Sequence, residues 1–547
     1  MTTQGSALCI AAALVLAACG GEDEWTPSAG GAGGGGGTGG SGNSTGGSDP
    51  NPPTADCESL ELHDMTGATE VATEEALRTA LAAGGLVQLT ADLTASSHFD
   101  VGPDTVFDGG GHTISGGGTT HLFVSRMVHF TIQNAVVVDG NNQVSDDEHF
   151  ARRSGAAVMA NGGNGTSDGP ATGSLTVIDV DFSGHVIKPE GPGDLRGGAV
   201  YVFNLPDVQI SGATFQDNEG SNGGAIGGLG SAIKIVNSSF VNNRTNFVGS
   251  GGAGEGNGGA ISLDAMSQND QEAHLHICGC DFRNNLSLVT GGAVSYVAHW
   301  YTDTDVIIDQ CVFENNRTTS AEHGQGGAIF AMDDEKAEQA TTANSLSISN
   351  TTFSGNQTWG SGGGVWFWTK DGRLTLTNAT FADNRIDDGN DTGMGGALAI
   401  SQGPTDILNV TIANNWAKFH GGGIQAGGDA VVTLTNTLFY NNTSDREGGW
   451  ANFHTNREVD HDGGGNMQWL DESAVIDSNS NALVSENATI ADPLLEALAD
   501  NGGPGHTMAL GAGSPAIDAG VANAPDTDQR GLPRDDTPDI GAFEVQP

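Results

Sequence analysis

LTLTNATFADN, residues 374–384, carries a pattern that returns along most of the chain. Its copies align on the Phe that closes the apolar half: Phe182, Phe215, Phe240, Phe282, Phe313, Phe353, Phe381 and Phe439, with Ile412 in that role once. Seven and five places before most anchors stand aliphatic residues, as in Leu346/Ile348 and Leu374/Leu376. That is the alternation of a strand with one buried face. Three places before the anchor Asn recurs at Asn237, Asn350, Asn378, Asn409 and Asn436, with Gly212 and Gly279 in the same slot. Both residue types enter the left-handed backbone region at low cost, so a bend is expected there. Three places after the anchor Asn returns again, from Asn218 to Asn442, and implies a second corner.

Between these units lies a Gly-Gly-small-aliphatic motif, from Gly197 through Gly223, Gly258, Gly291, Gly326, Gly362 and Gly395 to Gly421, with copies 26 to 36 residues apart. This spacing accommodates one coil of three short strands plus a variable loop. Repeats that cannot bury their own apolar face point to a solenoid. Corners rather than hairpins point to a parallel β-helix, whose like residues stack about 4.8 Å apart. A propeller is the all-β alternative, but the Asn-Gly dipeptides of two-residue hairpins are nearly absent from this region.

The alternating Gly-Gly-Ala-Ile and Phe-x-x-Asn motifs, from about Gly197 to Asn442, resemble those of the polymorphic outer-membrane proteins of chlamydiae and of bacterial right-handed parallel β-helix repeat proteins. The resemblance implies an all-β, right-handed parallel β-helix, secreted, surface-displayed and often adhesive. The chlamydial proteins add a C-terminal membrane barrel to which this sequence has no counterpart, so autotransport is not carried over.

The 547 residues include 86 Gly, and 67 acids against 19 Lys and Arg leave a formal charge of −48. A solenoid grows in one dimension, so this length does not demand several cores. Nucleic acid is excluded as a partner class, since few cations are present to meet phosphates. The acidic balance suits a soluble, self-repelling surface or, as the sharper reading, divalent-cation binding.

Ala7 to Ala18 is an apolar run too short to span a membrane. It ends in Leu16-Ala17-Ala18-Cys19, which resembles the bacterial lipobox, although residues 1–7 hold no Lys or Arg. The resemblance implies a signal peptide over 1–18, cleavage before Cys19 and lipidation of its sulfur; Gly20 resembles the sorting position of outer-membrane lipoproteins. The lipidated Cys and a Gly/Ser-rich tether occupy 19–56, the β-helix 57–486 and a C-terminal module 487–547. The tether would hold the body away from the bilayer.

Thr73 is placed to cap a helix over Glu74 to Ala83, ended by Gly84-Gly85 and covering the open first coil. Strands are expected at 87–89, 105–107 and 130–138. Cys280 and Cys311 hold one slot in adjacent coils, which reads as a ladder of small interior residues or as a disulfide in an exported protein. Cys278-Gly-Cys280 lacks the partners of a zinc site. From Asp492 onward, Gly513-Ser-Pro-Ala-Ile-Asp518 and Asp539-Ile-Gly-Ala-Phe-Glu544 resemble the choice-of-anchor Q domain, read here as a cap for the last coil.

Chemistry is sparse. A polysaccharide lyase needs a Lys or Arg base near Ca²⁺-binding carboxylates, and Lys188, Lys234, Lys336, Lys370 and Lys418 share no slot. A hydrolase needs neighbouring Asp residues, whereas Asp217 and Asp383 share a slot five coils apart. His420-Gly-Gly-Gly423 reads as the repeat's own corner, since no Gly-x-Ser-x-Gly turn accompanies it. Asp387, Asp388 and Asp391, and Asp460 with Asp462, offer oxygen ligands for Ca²⁺ or are simply turns. The strand after each Gly-Gly corner should point Tyr201 and Phe203, Phe330 and Met332, and Trp366 and Trp368 outward, with Trp300, Trp359 and Trp416 in loops. Such aromatics suit sugar rings or a partner protein, unless loops bury them.

The sequence therefore reads as an outer-membrane lipoprotein, surface-exposed or periplasm-facing, and monomeric. It would act as a non-enzymatic binding, adhesion or structural scaffold. The membrane is contacted through the lipid; polysaccharide or a surface protein of a host or neighbouring cell is the candidate ligand. A lyase or glycoside hydrolase for acidic polysaccharides is the alternative.

Overall fold

The computed structural model describes residues 57–142, 154–163, 172–187, 196–247, 256–264, 273–298, 304–321, 323–333, 345–369, 372–387, 392–445, 453–475 and 479–547. These build a right-handed parallel β-helix in which strand pairs with strand one coil on. One coil shows the plan. A Gly362-Gly363-Gly364 corner leads into Val365–Trp368, then Arg373–Thr377, the left-handed Asn378, Thr380–Ala382, the left-handed Asp383, and Arg385–Ile386. Their partners in the next coil are Leu398, Thr405, Ile412 and Trp416, all in parallel register. The coil thus has four strands where the spacing suggested three. The fourth holds two residues and forms its own ten-stranded sheet.

Stacking of like residues holds the rod together. Seven Phe rings, from Phe182 to Phe381, lie 4.6 to 4.9 Å apart with interplanar angles of 2 to 14°. All seven are fully buried. Each removes a large apolar area from water and meets its neighbour in a stack.

The Asn three places before the anchor takes φ from 47 to 52° at Asn237, Asn350, Asn378, Asn409 and Asn436, as expected of a bend. The Asn three places after it behaves differently. The left-handed residue of that second corner is one position earlier, as in Asn284, Asn315 and Asp383. The following Asn turns its amide inward instead. Asn316 Oδ1 accepts from the backbone N–H and side-chain amide of Asn285 at 3.0 and 2.9 Å, and its Nδ2 donates to Phe282 O and Asn356 Oδ1 at 2.9 and 3.0 Å. The same bonds recur from Asn218 to Asn442. Selection here is for a buried amide rather than for φ, since buried backbone donors and carbonyls left unpaired are costly. His185 occupies this slot at one end of the ladder, and His454 meets Asn442 at the other.

The Gly-Gly corner needs both glycines. Gly292 illustrates the second: a Cβ there would lie 1.9 Å from Gly327 O of the next coil, while Gly291 before it has φ 60°.

Helix Glu74–Ala83 is capped by Thr73, whose Oγ1 accepts from Ala76 N–H, and ends at Gly84 with φ 80°. It buries Leu77, Ala80 and Leu81 over the open first coil.

Residues 57–64 and the C-terminal module both lie along the rod's flank. Residues 57–64, assigned from sequence to the β-helix, form a strap outside it. Asn237 donates to Cys57 O and Ser59 Oγ, Leu60 N–H to Ser211 Oγ, and His63 exchanges two bonds with Gln133. Cys57 closes a disulfide with Cys278. Cys280 and Cys311 are not bonded to one another; they are buried thiols in the interior ladder. Burial pushes the Cys311 thiol pKa well up.

The C-terminal module does more than cap the last coil, because it runs back beside earlier ones. Asn436 exchanges hydrogen bonds with Val521, Asn409 donates to Asp539 O and Gly541 O, Asn378 to Thr527 O, and Thr352 to His506 O. The bends thereby present unused side-chain amides that the module consumes. Inside it, Arg534 meets Glu544 at 2.9 Å with both side chains 2% exposed. Burial pushes the Glu544 carboxyl up and the Arg534 guanidinium down, against the attraction between them.

Candidate binding site

The aromatic residues that follow the Gly-Gly corner do point away from the main core. Phe330 stacks on Trp366, ring centroids 4.7 Å apart, and Met332 pairs in register with Trp368. Tyr201 lies among Val124, Met159 and Phe203. Neither group is open, however: Tyr201 is 0%, Phe330 3% and Trp366 9% exposed, with Phe203 and Trp368 half-buried. The two groups are also separate. Gly227, Ser262 and Ser295 occupy the rungs between Tyr201 and Phe330, about 19 Å along the rod at the ladder spacing. An open aromatic strip is therefore not what these strands build. Trp300 lies outside the described residues, as do Cys19, Asp388 and Asp391.

The two-residue strands make the more accessible surface. In each, the second residue is buried, as Thr245, Ser287, Thr318, Thr358 and Ile386 are, so the first faces out. Stacked in register along this outward row are Glu219, Arg244, Leu286, Arg317, Gln357, Arg385 and Trp416. Trp416, read as a loop residue, is on a strand, and the Arg385 guanidinium sits 5.1 Å above its ring. A groove of about 330 Å³ opens at the middle of the row, lined by Asn284, Leu286, Asn315, Arg317, Gly355 and Gln357. Asn284, Asn315 and Arg317 are exposed. Motif reading missed this row, although its signal is present: each member stands four places after a Phe or Ile anchor.

Among the described residues, the candidate catalytic and cation residues stay apart. Asp217 and Asp383 both take the left-handed conformation in equivalent corners of distant coils. Lys418 is paired with Asp445 at 3.0 Å, and Asp387 accepts from Gln357 at 3.1 Å. His420-Gly421 belongs to a corner, with Gly421 at φ 58°. Asp460 holds Arg457 and the Val432 N–H. Asp462 is engaged by the Gly464 and Asn487 N–H groups and by Asn466. Burial opposes the Asp462 charge, but those bonds prevail and hold its pKa below the usual carboxylate range. One group among the described residues has metal-ligand spacing, Cys57, Cys278 and Asp309. Its two sulfurs are bonded to each other, and Asp309 accepts from Ser349 and Asn350 at 2.8 Å.

Fold and site together define a right-handed parallel β-helix repeat protein with a polar groove on its narrow sheet. No protein-family model matches the chain, and no curated protein matches it significantly.

Proposed function

We propose that this chain is an exported, lipid-anchored cell-surface β-helix acting as a non-enzymatic binding scaffold for carbohydrate. The observation that carries the reading is the row from Arg244 to Trp416. Guanidinium, amide, apolar and indole groups repeat there on strands, at an interval close to the length of a sugar unit in an extended glycan. Strand-borne groups are held more rigidly than loop-borne ones, which lowers the ordering cost of binding.

Export and display are supported by the lipobox-like run ending at Cys19, the tether behind it, and the Cys57–Cys278 disulfide, a bond favoured in oxidising compartments. The repeats' resemblance to chlamydial polymorphic outer-membrane proteins, and that of the C-terminal module to the choice-of-anchor Q domain, support the same placement. The lipid holds the chain to the outer membrane, the body is a monomer, and the reading requires no cofactor.

A glycan array paired with a depolymerisation assay on uronate-containing polysaccharides, with and without Ca²⁺, tests the proposal. Saturable array binding without chain cleavage is expected; cleavage would replace the scaffold reading with that of a lyase or hydrolase.

A further inference from the structure

We propose that the groove at Arg317 binds a carboxylate-bearing glycan, with a sugar carboxylate on the Arg317 guanidinium and flanking sugars on the rungs either side. This rests on the scaffold reading and specifies its ligand.

Charge pairing singles out the residue. Among the described residues the other arginines have carboxylate or ring partners, as in Arg244 with Glu219, Arg283 with Glu314, Arg373 with Asp406 and Arg385 with Trp416. Arg317 has none, and it is exposed. On a chain with 67 acids to 19 basic residues, an open guanidinium is set against the prevailing charge. Its planar fork of donors matches a carboxylate in bidentate fashion.

Its surroundings suit the rest of a sugar. Asn284 and Asn315 bring amides to the groove from the left-handed corner, Gln357, whose Nε2 also donates to Asp387, another from the next rung, and Leu286 an apolar surface from the rung before. Amides donate and accept, as vicinal hydroxyls do. Arg244 and Arg385 lie two rungs away on either side, but Glu219 and the Trp416 ring already engage them, which leaves Arg317 as the guanidinium of this row that is open to a ligand. The chain's charge of −48 repels an acidic glycan at a distance. At physiological salt, screening confines that repulsion to about 8 Å, and the direct contact decides.

The test is isothermal titration of the full-length protein at physiological salt with a hyaluronan hexasaccharide and with a neutral chitin oligosaccharide of equal length. Hyaluronan should bind at least about tenfold more tightly than the neutral chain. Arg317→Gln should lose about tenfold or more, Arg317→Lys should retain part, and the remote Arg457→Gln should change nothing. An unchanged thermal midpoint for Arg317→Gln ties the loss to the site. Equal binding of both glycans, undiminished binding by Arg317→Gln, or no binding of hyaluronan overturns the proposal. If the array still reports another glycan in those cases, the scaffold reading survives; if no glycan binds at all, it falls too.

Discussion

Cys57 is bonded to Cys278 across 221 positions of sequence, with their Cα atoms 5.2 Å apart. Cys57 therefore lies beside an internal coil rather than at the end that carries the helix.

Non-reducing peptide mapping should recover one cross-linked pair joining Cys57 to Cys278, with Cys280 and Cys311 alkylated only after denaturation. Cys57→Ser should lower stability by up to about 5 kcal/mol in the chain-entropy view of so long a loop. The exchange protection of the Leu60 and His63 amides should fall with it. A mapped Cys280–Cys311 pair would contradict the assignment.

Asn316→Leu keeps the branched shape but leaves the Asn285 N–H and Nδ2 without their shared acceptor and Phe282 O without its Asn316 donor, while Asn356 Oδ1 keeps only the Asn316 backbone N–H. A loss of about 3 to 5 kcal/mol is expected in urea unfolding, since several buried groups lose partners together. A loss below about 1 kcal/mol would mean that the inward amides contribute little.

At Asn378, φ is 50°, and the side chain also bonds Thr527 O and Arg534 at 2.8 and 3.0 Å. Asn378→Val should cost about 3 kcal/mol, combining backbone strain with lost bonds to the C-terminal module. Asn378→Gly, which tolerates that φ, should cost about half as much. Equal thermal shifts for the two variants would remove strain from the account.

His185 is fully buried, with Nδ1 accepting from Gly140 N–H at 3.0 Å and Nε2 donating to Val137 O at 2.9 Å. Burial lowers its pKa to about 4, and burial does the same for His454. The unfolded chain protonates these rings near 6.5, so stability should fall as pH drops from about 6.5 to about 4, with no further loss from them below that. His185→Asn restores the ladder's usual residue and should flatten the decline by about 3 kcal/mol. A pH profile of melting temperature unchanged by that substitution would show that His185 is not the group responsible.

Much of the rod was legible because each repeat states the same contact many times. Phe353 and Phe381 share a slot in the sequence and stack in space at 4.6 Å, and Thr73 with Gly84 marked the helix ends. The inward Asn was legible as a repeat but not as a role, because Asn serves a left-handed bend and a buried amide equally well. The outward row through Arg317 was harder to find: its members share a position but no chemistry, so no motif announces it. Tyr201 and Trp366 were correctly directed away from the core, yet alternation along a strand says nothing about whether a face stays open.

Period, register and the inward side of each strand were determined by the sequence alone, since these follow from local backbone preference and from contacts between one coil and the next. Only the tertiary structure decided what lies along the flank: that Cys57 reaches Cys278, that residues 521–541 return beside Asn378 and Asn436, and that no segment among the described residues covers the groove at Arg317. Those contacts occur once each between segments far apart in sequence, and a contact made once leaves no periodic trace in the chain.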